Sequence, residues 1–88
     1  MKKIKLSGRE AGVLRAIDFN LGTSGADMLE RTQMDPGDLV DIVGSLMELG
    51  YIETQPPSDC IDPQAFKETM IEVNPAFVHE LREALIRR

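Results

Sequence analysis

Residues 35–53, DPGDLVDIVGSLMELGYIE, decide how this chain reads. Asp35 offers a side-chain acceptor to the unpaired amides of a helix start. Pro36 follows at the first helical position, where its missing N–H costs nothing. Leu39, Ile42, Leu46 and Leu49 then recur at helical spacing, which predicts a core-facing stripe, and Gly50 suits the left-handed residue that closes a helix. After Gly50 the pattern changes and YIET reads as a strand over 51–54. The helix carries four acidic residues, Asp35, Asp38, Asp41 and Glu48, and no lysine or arginine. A second apolar stripe, Pro36, Val40, Val43 and Met47, runs beside the first. It reads either as a wide core face or as a contact surface edged with carboxylates.

Working outward, Ser7 and Glu10 fit a capping box, and Ala11, Val13, Leu14 and Ile17 predict a first helix over about 8–19, ended by Asn20-Leu21-Gly22. Thr23 or Ser24 caps a shorter second helix over about 25–32, with Ala26 and Leu29 facing inward and Asp27 near its positive end. On the far side, TMIEV predicts a second strand over 69–73. The interval 55–68 holds three prolines and reads as a loop or long hairpin tip, with one helical turn starting at Asp62-Pro63. Asn74-Pro75 starts a fourth helix reaching about residue 87. Its apolar residues Phe77, Val78, Leu81, Leu85 and Ile86 span more circumference than one packing contact needs, so they form either a candidate dimer face or a helix that folds back and buries both faces on its own wing. No repeat or linker divides the chain, and 1–88 is read as one domain.

Composition bounds the function. The 88 residues carry a net charge of −5, with 42% hydrophobic and 28% charged residues. A domain of this size buries about 60–65% of the surface its unfolded chain exposes. No apolar run marks a signal peptide or membrane span, so a cytoplasmic location is the expectation. A single cysteine, Cys60, excludes an internal disulfide and any CxxC metal site. His79 and Glu83 lie one turn apart and read as a solvated polar face; Cys60 with Asp59 and Asp62 is too sparse for a ligand set. The acids are too scattered for a general acid–base pair, and no glycine-rich phosphate loop is present. Neither an enzyme, a metal site nor a cofactor is expected.

The order helix, helix, helix, strand, long turn, strand, helix gives a mainly helical α+β chain. With LSGREAGVLRAID, then LVDIVGSLMELGYIE, then a hairpin and a closing helix, it resembles a winged helix-turn-helix domain similar to those of MarR-type transcription regulators. The resemblance covers nearly the whole chain. It implies a three-helix core, a two-stranded wing and DNA binding with the third helix in the major groove. It also implies a small strand near 21–23, for which the residues carry no independent signal. In the resembled register, Gly37, Asp38, Val40, Asp41, Gly44 and Ser45 face the groove. The resembled regulators pair through terminal helices, which favours a homodimer through the fourth helix.

The charges oppose the DNA reading. Between Arg31 and Lys67 no basic residue occurs, while Asp35, Asp38, Asp41, Glu48, Glu53, Asp59 and Asp62 are all acidic. The net charge is +2 over residues 1–31, −7 over 32–66 and 0 over 67–88. None of the groove-facing residues is an Arg, Lys, Asn or Gln able to make bidentate contacts to guanine or adenine. Two functions therefore stand at this level. One is a regulatory module working through protein contacts, with itself or a partner. The other is a DNA-binding regulator whose phosphate contacts come from Lys2, Lys3, Lys5, Arg9, Arg31 and Lys67.

Overall fold

A computed structural model describes residues 6–55 and 64–86. It is a mainly helical α+β arrangement of four helices and a three-stranded antiparallel sheet. Helix α1 (Gly8–Ala16) starts on the expected capping box: the Ser7 hydroxyl accepts from the Glu10 amide at 3.1 Å, and the Glu10 carboxylate accepts from the Ser7 amide at 2.9 Å. The helix ends three residues earlier than its apolar spacing predicts. The Asp18 carboxylate accepts the Asn20 and Leu21 amides at 2.8 and 3.0 Å, and the Asp18 amide donates to the Thr23 hydroxyl. These local bonds offer the backbone a turn in place of another helical turn.

Strand β1 (Thr23–Ser24) follows, sharing only Thr23 with the segment 21–23 that the resemblance implied. Ser24 also caps helix α2 (Gly25–Thr32), accepting from the Asp27 amide at 3.2 Å. Its inward face differs from expectation. Met28 is fully buried, whereas Ala26 is exposed and Leu29 half-buried. Gln33, left-handed at φ 57°, closes α2 and turns the chain into α3 (Pro36–Glu48), where the Asp35 carboxylate accepts from the Gly37 amide at 3.0 Å.

Helix α3 keeps its expected start, but its buried centre lies on Leu39, Val43 and Leu46. Ile42 is half-buried and Leu49 is 54% exposed, so the stripe is rotated towards Val43. Packing on two sides, against α1 and the start of β2, sets that rotation. Gly50 is left-handed at φ 83°, and β2 (Ile52–Gln55) then pairs antiparallel with β3 (Met70–Val73), Ile52 opposite Val73 and Thr54 opposite Ile71. The expected hairpin is therefore formed. Strand β3 is central, with order β1-β3-β2, and Ser24 of β1 lies opposite Met70.

The expected helical turn at Asp62-Pro63 falls outside the described residues. A 3₁₀ turn at Phe66–Glu68 places Phe66, only 2% exposed, in the core. Gly25 makes room for it: its amide donates to the Thr69 carbonyl at 2.9 Å, and a Cβ there would overlap the Phe66 carbonyl. At the far end, Asn74 caps a 3₁₀ turn at Pro75–Phe77 that leads into α4 (Val78–Ile86), so the α-helix proper starts three residues late. Leu81 of α4 joins Leu14, Met28, Leu39, Leu46, Phe66 and Ile71 in a continuous core.

Two stability outcomes follow from this packing. Gly25→Ala should cost about 1–3 kcal/mol, because the added methyl meets backbone that cannot swing aside. Gly12→Ala, in the exposed middle of α1 with nothing within 4 Å, should add about 0.5–1 kcal/mol. Thermal melts read both, each kcal/mol being worth roughly 4–8 °C at this size. A second pair of melts concerns the sheet, where Glu53 lies directly opposite Glu72. Glu53→Lys replaces a like-charge pair by an opposite one and should raise stability by about 0.2–1 kcal/mol, an increment that added salt removes.

Candidate interaction surface

With Leu39, Val43 and Leu46 turned into the core, the 100° step of an α-helix points Gly37, Asp38, Asp41, Ser45 and Glu48 outward, and all five are exposed. Gly44 and Val40 flank this sector and are half-buried. The residues expected to face a groove thus do share one side of α3. It is a surface of two glycines, a serine and carboxylates, bordered by Val40 and by exposed Leu49. Asp38 is held by Arg9 of α1, Nη2 to Oδ2 at 3.3 Å, with both side chains more than half exposed. Neither Asp41 nor Glu48 makes an ion pair with a described residue.

Two of the exposed arginines bond to the chain's own backbone. Arg31 donates from Nη1 to the Ala16 carbonyl at 2.8 Å, at the C-terminus of α1. Arg15 donates from Nη2 to the Leu85 carbonyl at 2.8 Å, near the end of α4. A guanidinium at these places satisfies a carbonyl left without a helical partner and meets the negative end of the helix dipole. Arg82 lies 5.4 Å from the centroid of the Phe19 ring, within cation–π range. Arg15 and Arg82 were not singled out by sequence, because a backbone carbonyl or a ring as partner leaves no spacing signal. Of the six candidate phosphate contacts, Arg9 is paired with the Asp38 carboxylate, Arg31 is bonded to the Ala16 carbonyl, and Lys67 is exposed on the 3₁₀ turn. Lys2, Lys3 and Lys5 lie outside the described residues, as do Cys60, Asp59 and Asp62.

Helix α4 divides sharply. Leu81 is fully buried within the chain, which corrects its placement on a dimer face, and Val78 and Leu85 are half-buried beside it. Phe77 packs edge-on against Tyr51, centroids 5.3 Å apart at 68°. The outer side carries His79, Arg82 and Glu83, with Ile86 alone among them at 84% exposure. The His79 imidazole is 3.7 Å from the Glu83 carboxylate, in an exposed i,i+4 pair. Among the described residues no three His, Cys, Asp or Glu side chains are grouped to hold a metal, and no helix is long and apolar enough to cross a membrane.

Asp18 is the one described group with a clearly displaced titration. The Leu21 amide first, then the Asn20 amide, hold its carboxyl below the usual carboxylate range, with Arg31 adding a smaller attraction. No protein-family model, curated protein or solved structure matches this chain.

Because the folded Asp18 is the stronger acid, its contribution is complete above the unfolded carboxylate pKa and is lost as pH falls through the folded value. Asp18→Asn should therefore melt below the wild type at neutral pH, and the two curves should converge as acid protonates the native side chain. Helix α4 supplies a separate comparison. Leu81→Ala should cost about 2–5 kcal/mol, while Ile86→Ala should stay within about 0.5 kcal/mol. A large loss at Ile86, read by urea titration, would mean that a partner copy covers it.

Proposed function

We propose that this chain is a small winged-helix regulatory module that acts through protein contacts, presenting the outward side of α3 to a basic protein surface rather than to DNA. The winged-helix part of the reading rests on the run α1, β1, α2, α3, then the β2–β3 hairpin, with β3 at the centre of the sheet. In that fold α3 takes the place of the groove-reading helix and the hairpin takes the place of the wing.

The observation that carries the protein-contact reading is the chemistry of that helix face. Asp38, Asp41 and Glu48 project from it, and no Arg, Lys, Asn or Gln stands among them. Generic DNA affinity comes mainly from lysine and arginine displacing counterions from phosphates, and base reading from bidentate side chains. This face has neither. A basic protein surface is its electrostatic complement, and Gly37, Gly44 and Ser45 let a partner approach the helix backbone closely. Val40 and Leu49 at the edges add apolar area that an interface can cover.

Fluorescence anisotropy with mixed-sequence duplex DNA at physiological salt tests the reading. The wild-type chain should fall short of the roughly 10⁻⁴–10⁻⁶ M range of non-specific binders. The double variant Asp38→Lys/Asp41→Lys should gain salt-dependent binding, since it places two cations on the groove side and frees Arg9 as a third. Micromolar wild-type binding with a steep salt slope would overturn the reading and favour the DNA-binding regulator. A photo-cross-linking residue at Ser45 adds the positive arm: in host cells it should trap protein, and the product should disappear in the double variant.

A further inference from the structure

We draw no further inference here: the strongest candidate, the outer edge of β2 where Glu53 lies opposite Glu72 on β3, is one side of the small sheet beside an acidic pair, and nothing in the structure shows what covers it.

Discussion

The close approach of Gly25 to the chain around Phe66 is the contact on which the rest of this fold depends. Gly25 opens α2, and its amide donates to the Thr69 carbonyl one residue before β3 begins. The missing side chain lets the two backbones touch where any Cβ would overlap the Phe66 carbonyl. Three consequences follow from that one junction. Ser24 is brought opposite Met70, so a two-residue strand can pair at all. Phe66 is pressed into the core between the helices and the sheet. The sheet in turn is fixed against α2 rather than standing off as a free hairpin, which a two-stranded ribbon in water could scarcely sustain.

That junction also explains what could and could not be read from sequence. Features set by neighbours within a few residues were legible: the Ser7/Glu10 box, the Asp35-Pro36 and Asn74-Pro75 starts, the Gly50 stop and the alternating strand segments behind it. Features set by distant partners were not. Strand β1 is too short to show a period and exists because β3, some 46 residues later, supplies its hydrogen bonds. Phe66 sits in a polar, proline-bearing stretch that reads as loop, and its burial is decided by Gly25. On α2 the inward residue is Met28 rather than Ala26, because both α1 and the Phe66 turn pack against that helix. The same holds for α3, where contact on two sides rotates the buried centre to Val43.

The acidic side of α3 was fully legible, since charge and helical spacing suffice to place it. The use of the arginines was not. Arg31 caps a carbonyl fifteen residues away and Arg15 one seventy residues away, and neither pairing follows from composition. In α4 the apolar residues looked too numerous for one packing contact. They proved to be shared among the core at Leu81, the Tyr51 ring at Phe77 and half-buried flanks at Val78 and Leu85, which leaves a polar outer side with one exposed isoleucine.

Which of these electrostatic features governs binding can be judged by magnitude. The Arg9–Asp38 pair is exposed on both sides, and such pairs contribute only about 0–1 kcal/mol. A phosphate could draw Arg9 away at little cost, so its engagement is no argument against DNA binding. The α3 carboxylates differ, because they are fixed on the helix that a winged helix would insert. In a groove they would lie close to the phosphates, within the Debye length of about 8 Å at physiological salt, where screening gives little relief. Their side chains can change rotamer but cannot leave that face of α3, and α3 is held by three fully buried side chains. On the proposed reading, sign and position together outweigh the availability of any single arginine: the rigidity that lets a helix read DNA would here hold carboxylates against phosphates, and a rigid acidic face suits a basic protein surface.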